Sequence, residues 1–501
     1  MLTPDNVTAR LRDLLDNPPE RDLLEYEGHW WTWPQVAAVG KGIGALLDAA
    51  GVPKDVAIGV VIQNHPETAA ALIGLIALGR PITMVYSHQA DALIAANVRK
   101  LNLAVVIAEE RDWSDELRSC FDGDRLGISL PAGLGSPVVV KAAERLLENC
   151  RTHPEVVVEV LTSGTTGAPK NISLSLKALS RGIGSLVQGV EAAGESHVEV
   201  IYVPLASIGG ILLTLGYAAG GSRFCLLERF KVEQWADAIR RHRTVTAGVT
   251  APVIRAILEK RIDPEWLKSL RCVFGGAGPL ETELRQKFQD IYGTDVCWGY
   301  GATEFAGTLA TWTPDLKAQL GGDRLHSVGR VVPGLEVRIT DPETGESLSK
   351  GETGRLEALI PNVAEDWIRT NDLAKFDEDD ILYIFGRLDG AINRGGFKVL
   401  PEIVVEALRR HPAVSDAAVI GLPDARLGEI PVALVELKDE TAKVTAEELR
   451  DFVRAYLPAP SVPAQVKIVG ELPRNTMLKV DIVAVRKLWA EQAEATPAAA
   501  G

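Results

Sequence analysis

Short apolar runs alternate with longer stretches of helical periodicity along most of this chain. Residues 56–62, 81–85 and 103–108 read as strands, because β-branched and aliphatic side chains fill consecutive positions between turn residues. Between the first two, 67–78 reads as a buried helix closed by Gly79. Upstream, Thr32-Trp-Pro-Gln35 has the capping-box pattern, with Pro34 tolerated in the first turn, and opens an Ala-rich helix ending near Gly51. The alternation resumes with a strand over 156–161, a helix around 176–187 and a strand over 198–203. It continues as helix 232–242, strand 244–249, helix 252–259, strand 270–274, helix 280–292 and strand 295–298. Strands alternating with helices predict an α/β fold whose parallel sheets are covered on both faces.

The pattern changes after about Gly329. Residues 336–339 and 354–358 alternate polar and apolar between glycine- and acid-rich turns, which predicts a small antiparallel sheet. From Gly386 a compact α+β unit follows, with helix 401–410, strands 414–420 and 431–436, and a helix opened by the capping box Thr445-Ala-Glu-Glu448. At 501 residues the chain exceeds what one hydrophobic core supports. It divides into a large, multi-subdomain amino-terminal domain (1–386) and a small, mobile α+β carboxy-terminal domain (387–490), with a hinge near Arg387–Asp389. The Ala/Pro-rich tail, 491–501, has too little to bury and is expected to be disordered.

Composition narrows the function. A net charge of -14 argues against nucleic acid or an anionic membrane as partner, although a local nest can still hold a phosphorylated ligand. The five cysteines are scattered, with neither zinc spacing nor a disulfide framework, and the amino terminus has no signal-peptide pattern; a cytoplasmic protein is expected. Residues 203–222 carry no charge and are long enough to raise a transmembrane question. Five glycines and Pro204 lie among them, which favours a buried helix beside a ligand pocket. Gly40-Lys-Gly-Ile-Gly-Ala45 matches a dinucleotide fingerprint only superficially, because it falls inside the predicted helix rather than between strand and helix.

The chemistry starts at Leu161-Thr-Ser-Gly-Thr-Thr-Gly-Ala-Pro-Lys170, behind a predicted strand. Two glycines let several backbone N–H groups converge, four hydroxyls add donors and the lysine adds a charge, so the stretch suits a polyphosphate. It is not a Walker A loop, since Asn171 stands where Ser or Thr should follow the lysine. Five more stretches exceed plain scaffolding: Phe274-Gly-Gly-Ala-Gly-Pro279, Trp298-Gly-Tyr-Gly-Ala-Thr-Glu304, Thr370-Asn-Asp372, Gly386-Arg-Leu-Asp-Gly-Ala-Ile-Asn-Arg-Gly-Gly-Phe-Lys398 and Leu472-Pro-Arg-Asn-Thr-Met-Leu-Lys479. Their order resembles that of the adenylate-forming superfamily: acyl- and aryl-CoA ligases, luciferases and peptide-synthetase adenylation domains. The resemblance runs from about residue 25 to residue 480 and is closest to the acyl- and aryl-CoA synthetases.

That resemblance implies two half-reactions. A carboxylate attacks the α-phosphate of ATP to give an acyl-adenylate and pyrophosphate, and a thiol, here expected to be CoA, then displaces AMP. It implies that Thr162, Ser163, Gly164, Thr165, Thr166, Gly167 and Lys170 cradle the β- and γ-phosphates. Gly276, Ala277, Gly278 and Tyr300 would line adenine, Asp372 would hold the ribose with Arg387 beside it, and Gly301 and Lys398 complete the nucleotide site. Thr303 would meet the α-phosphate, Glu304 would hold Mg2+, and Lys479 would bridge the acid and ATP. Asp389 would be the hinge about which the small domain turns, bringing Gly395, Gly396 and Phe397 to the CoA tunnel. The acyl pocket would draw on Ser207, Gly209, Gly210, Trp298, Phe305 and Ala306. None of these is charged, and no acid stands ready for an α-ammonium group, so an uncharged aliphatic or aromatic acid is expected.

The chain departs from the pattern at Asn171, Asn371 and Leu478, where glycine is usual, at Gly390, where a second acid is common, and at Ala206-Ser207, where CoA ligases commonly carry an aromatic residue and a histidine. Two other classes therefore stay open: an adenylating enzyme that loads a carrier-protein thiol or an amine, and a non-catalytic nucleotide-binding relative. A carrier protein and a second copy of the chain, as a homodimer, stay open as partners.

Overall fold

The computed structural model describes residues 4–87, 89–162, 170–193, 197–276, 278–320, 324–394, 397–439, 443–475 and 478–494. Counting these residues only, one compact unit is built from residues within 4–162, 170–320 and 360–365, and the other from residues within 324–359 and 366–494. The small antiparallel sheet thus groups with the carboxy-terminal α+β elements.

The first unit contains a seven-stranded sheet in the order Val138–Lys141, Leu126–Leu130, Val105–Glu109, Ile58–Ile62, Ile82–Tyr86, Val157–Thr162, Lys170–Ser175. The five inner strands are parallel, and the inner strands Leu126–Leu130, Val105–Glu109 and Ile58–Ile62 are buried at every position, as continuous apolar runs require. Both edge strands are antiparallel, which alternation with helices alone does not predict. Lys170–Ser175 returns directly after 163–169, and a connection that short can only reverse the chain. Its Lys-Asn-Ile-Ser-Leu-Ser pattern buries Leu174 and leaves Asn171 and Ser173 exposed, as expected at an edge.

A second sheet orders Thr246–Val249, Cys272–Gly275, Asp295–Ala302 and Gly307–Thr311, with the first three parallel and the third and fourth forming an antiparallel hairpin. A third joins Val198–Ile201, Arg223–Leu226, Asp22–Tyr26 and His29–Thr32. Helices pack on one another through glycine contacts. A Cβ on Gly74 would lie 2.6 Å from the Gly40 Cα, so helices Trp33–Ala49 and Pro66–Ala77 touch backbone to backbone. Gly40 is therefore a packing glycine, and the fingerprint-like run serves helix contact. The Thr32–Gln35 capping box forms as its sequence predicts.

Residues 203–222 deliver the buried helix Ile208–Gly220, closed by Gly221 at φ +76°. Leu212 packs onto Gly182 and Leu186 onto Gly216 of the paired helices. Among the described residues, no helix is long and apolar enough to cross a membrane.

In the second unit, Glu336–Thr340, Gly354–Leu359, Ile368–Phe376 and Leu382–Arg387 form a wholly antiparallel sheet. A further sheet orders Phe397–Val399, Ile392–Arg394, Gly428–Leu437 and Val414–Asp424, with Gln465–Val469 joining Gly428–Leu437 in parallel. Helix Ala446–Tyr456 opens with the Thr445–Glu448 capping box.

One buried charge organises the seven-stranded sheet. Glu159 is 1% exposed and accepts from Thr83 Oγ1 (2.6 Å) on one neighbouring strand, Ser173 Oγ (2.9 Å) on the other, and the Arg151 guanidinium. Burial alone would raise its pKa, but the Arg151 pair and the two hydroxyls bring it from an ordinary 4.5 down to about 2. A depression of that size corresponds to about 3 kcal/mol of stability at neutral pH. It is complete above pH 4.5 and is lost as the pH falls through about 2. Glu159→Gln should therefore lower stability by about 2–3 kcal/mol at pH 7, with the gap to wild type closing as the pH is lowered; urea melts at pH 7 and pH 3 measure both.

Candidate active site

The hairpin Asp295–Ala302/Gly307–Thr311 carries the densest set of candidate residues in the first unit. A register shift between Tyr300 and Gly301 re-aims the strand end, and the chain then turns through the short helix Thr303–Phe305. Gly301 has no room for a side chain, since a Cβ there would lie 2.4 Å from Gly307 O. Ala306 reverses the chain at φ +52° and Gly307 at φ +137°. Thr303 and Glu304 sit on this turn, Thr303 half-buried and Glu304 exposed, while Phe305 and Ala306 are buried at its base. The Tyr300 and Phe305 rings meet edge to face at 6.0 Å. Arg181, from helix Leu176–Ala193, donates to Phe305 O (3.1 Å) and Thr308 O (3.0 Å) and so ties the turn to that helix.

The parallel neighbour Cys272–Gly275 leads into Gly276 and Gly278. Trp298 is buried against it: a Cβ on Gly275 would lie 2.2 Å from the indole ring, and the indole Nε1 donates to Gly278 O at 2.9 Å. A Cβ on Gly276 would lie 2.7 Å from Gly299 O. The bare backbone predicted for a flat ring is thus enforced by close approach of two strands. Trp298 acts as the wedge that holds this loop.

The segment 202–210 is held by a residue outside every motif. Asn64 is 4% exposed; its Nδ2 faces Tyr202 O (3.3 Å), Val203 O (3.0 Å) and Leu227 O (3.1 Å), and its Oδ1 accepts from Leu205 N (2.8 Å). Ser207 caps helix Ile208–Gly220, with its Oγ accepting from Gly210 N (3.1 Å) and donating to Pro204 O (2.7 Å). Gly210 is obligatory because a Cβ would lie 2.2 Å from Pro204 O, whereas Gly209 meets only van der Waals neighbours. The Ser207 hydroxyl is therefore committed to backbone.

In the second unit, Asp372 and Arg387 are register partners on adjacent strands, with Arg387 Nη1 3.8 Å from Asp372 Oδ1. Arg387 also makes a two-pronged bond to Asp389, Nε to Oδ1 at 2.8 Å and Nη2 to Oδ2 at 2.7 Å. Asn371, one of the departures from the family pattern, donates its Nδ2 to Asp389 Oδ2 at 3.1 Å. The Arg387 guanidinium, aided by Asn371, holds the Asp389 carboxyl below its usual range.

Lys479 is exposed beyond a tight reversal: Asn475 N donates to Lys479 O (2.8 Å) and Lys479 N donates to Asn475 Oδ1 (3.1 Å). Leu478 occupies the left-handed region at φ +61°, the conformation in which the family's usual glycine would be unstrained. Arg474 anchors the reversal by donating to Asp416 Oδ2 (2.8 Å) and Glu436 Oε2 (3.1 Å). Phe397 is exposed.

Ser163, Gly164, Thr165, Thr166, Gly167, Ala277, Gly395 and Gly396 lie outside the described residues, as do the side chains of Thr162, Lys170 and Lys398; Thr162 and Lys170 face each other in register as the last and first residues of their strands. Asn64 and Arg181 escaped the sequence reading, and Arg474 was read only as part of the Leu472–Lys479 stretch, without a role of its own. Asn64 has the signal most open to use, since it ends a buried parallel strand, where α/β sheets place ligands.

The sequence matches the family described as AMP-binding enzyme over residues 11–366 and the AMP-binding enzyme C-terminal domain over residues 405–479. The chain belongs to the AMP-binding enzyme family. Among curated relatives, 4-coumarate–CoA ligase 2 of Nicotiana tabacum is 28% identical over 482 residues, covering 90% of this chain and 88% of the relative. The amide bond synthetase McbA of Marinactinospora thermotolerans superposes with a TM-score of 0.78 at 26% identity, over 96% of this chain and 100% of that one. ATP-bound MatB of Rhodopseudomonas palustris shares the fold, with a TM-score of 0.82 at 22% identity over 97% and 98% of the two chains.

Asn64→Asp removes the donors facing three carbonyls and puts a negative charge against them. It should cost about 2–3 kcal/mol and raise the KM for the acid more than the KM for ATP, as read by denaturant melts and pyrophosphate-release kinetics.

Proposed function

We propose that the chain is an ATP-dependent acid–CoA ligase of the AMP-forming type. An acid and ATP give an acyl-adenylate and pyrophosphate, and the CoA thiol then displaces AMP to leave the thioester. Family membership over most of the chain and the likeness to 4-coumarate–CoA ligase 2 support this reading. The observation that carries it is the Lys479 turn. Leu478 is kept in a left-handed conformation, at a cost of about 1 kcal/mol, on a reversal anchored by Arg474, and the Lys479 ammonium that follows it has its pKa lowered by burial.

In this reading Lys479 stabilises the negative charge that builds between the attacking carboxylate and the α-phosphate. Thr303 offers a hydroxyl to that phosphate, Asp372 accepts from the ribose hydroxyls, and the 274–279 backbone lies against adenine. Glu304 is an exposed carboxylate and suits Mg2+, a hard cation that would supply charge neutralisation at the polyphosphate. Asp389, held by Arg387 and Asn371, is the pivot between the half-reactions, and breaking that clasp is part of the turn. ATP, Mg2+, CoA and a carboxylic acid are then the reactants and cofactors.

A second reading takes an amine or a carrier-protein thiol as acceptor. The likeness to amide bond synthetase McbA and the small residues at Ala206 and Ser207 favour it. Pyrophosphate release over a panel of acids, with and without CoA, separates the two: steady turnover only with CoA supports the ligase, and a CoA-independent burst supports the other acceptor. Lys479→Ala should lower adenylate formation by about a hundredfold or more while leaving ATP binding and thiol attack on preformed adenylate nearly intact; equal loss in both half-reactions would overturn its role. Asp389→Pro should spare adenylation and slow thioester formation, as read by single-turnover kinetics of each step.

A further inference from the structure

Two carboxylates stand directly opposite each other in the second unit. Asp416, on strand Val414–Asp424, and Glu436, on strand Gly428–Leu437, are register partners in an antiparallel pair. Like charges so placed destabilise a sheet, and Asp416 is in addition only 4% exposed. Such a pair is kept only where cations lie against it. Arg474 spans both acids: Nη1 donates to Asp416 Oδ2 at 2.8 Å and Nη2 to Glu436 Oε2 at 3.1 Å. The remaining contacts complete a socket. Asp416 Oδ1 accepts from Arg409 Nε (2.8 Å) and Ala417 N (2.8 Å), and Glu436 Oε2 accepts from Leu472 N (2.9 Å). Arg409 ends helix Pro401–Arg409, so the two acids tie both strands, that helix and the 472–474 segment together.

What the socket seats is the base of the lysine reversal. Arg474 and Val480 form an antiparallel bridge, and Asp481 N donates to Pro473 O at 2.8 Å. Beyond that bridge Asn475 N donates to Lys479 O (2.8 Å) and Leu478 N to Asn475 O (2.9 Å). Lys479 immediately precedes the bridged Val480, so its direction follows from how Arg474 is seated. The left-handed Leu478, at φ +61°, persists only because these bonds over-determine the turn.

Resting on the ligase reading above, we propose that Arg474, seated between Asp416 and Glu436, is a positioning residue for the adenylation half-reaction: it aims Lys479 and touches no reactant itself. Two opposed acids are a costly way to stabilise a domain, since apolar residues in place of a buried ion pair are often as good or better. They suit a task in which direction matters. A planar guanidinium meets two carboxylates at fixed angles, which an ammonium on a flexible stem does not.

Single-turnover assays of each half-reaction test this. Arg474→Gln should slow adenylate formation about tenfold to a hundredfold, with ATP affinity and thiol attack on preformed adenylate within about twofold of wild type. Arg474→Lys should recover part of the loss. Adding Glu436→Gln to Arg474→Gln should slow adenylation little further, because both changes break one unit. Arg409→Gln takes a cation from the same carboxylate without touching the reversal, and should leave the ratio of the two half-reaction rates unchanged. Equal slowing of both half-reactions by Arg474→Gln, or the same split in Arg409→Gln, would overturn the proposal and leave the socket as a brace for the domain. Hydrogen exchange at the Asn475, Leu478 and Lys479 amides reads the seat without turnover. It should quicken in Arg474→Gln, and unchanged exchange defeats the proposal whatever the rates. If no acid releases pyrophosphate yet exchange quickens, the ligase reading fails and the seating of the reversal by Arg474 stands.

Discussion

The carboxylate of Glu159 is a full charge inside the largest sheet, and the first unit is arranged to keep it there. Such a charge is tolerated only if its lone pairs are filled and a cation stands beside it. Here the donors come from Thr83 on one neighbouring strand, Ser173 on the other and Arg151 just upstream. The same three bonds join the parallel strand Ile82–Tyr86, the strand Val157–Thr162 and the antiparallel return Lys170–Ser175. The phosphate-type stretch is thereby fixed at both ends, with Thr162 and Lys170 in register. A structural ion pair thus helps to set the separation of the two strand ends, Thr162 and Lys170, on either side of residues 163–169.

Glycine shows how far local sequence can be trusted. Gly40 and Gly74 bring two helices into backbone contact, and Gly182 and Gly216 receive leucines from the facing helix. Gly275, Gly276 and Gly301 instead clear space where strands of the site cross each other's carbonyls and the Trp298 ring. The residue type is the same in each case, and only its element separates scaffold from site. Placement inside a capped helix was enough to reject the 40–45 run as a dinucleotide motif, because capping and periodicity are local properties. The departures are explained by neighbours: Asn371 acquires a role by reaching Asp389, and Leu478 is held in a glycine-like conformation by the reversal between Asn475 and Lys479.

Charge is distributed by the same logic. The acidic chain keeps its cations where a carboxylate or a set of carbonyls can hold them, and Arg387, Arg474 and Arg151 each brace a candidate element through acids of their own unit. Arg181 follows the same rule beside the Thr303–Glu304 turn, held by the carbonyls of Phe305 and Thr308.

From residue order alone came the α/β class, the helix Val232–His242 to the residue, both capping boxes, the small antiparallel sheet and the sequence of motifs that marks the family. These rest on periods, caps and turn residues that act within a few positions. The antiparallel edges of the seven-stranded sheet, the grouping of the small sheet with the carboxy-terminal elements, the wedge role of Trp298, and the contacts of Asn64 and Arg181 came only from the tertiary structure. Asn64 reaches Leu205 across 141 residues and Arg181 reaches Phe305 across 124. A side chain's partners over such distances depend on which elements become neighbours, and hydrophobic periodicity says which face of an element is buried but not against what.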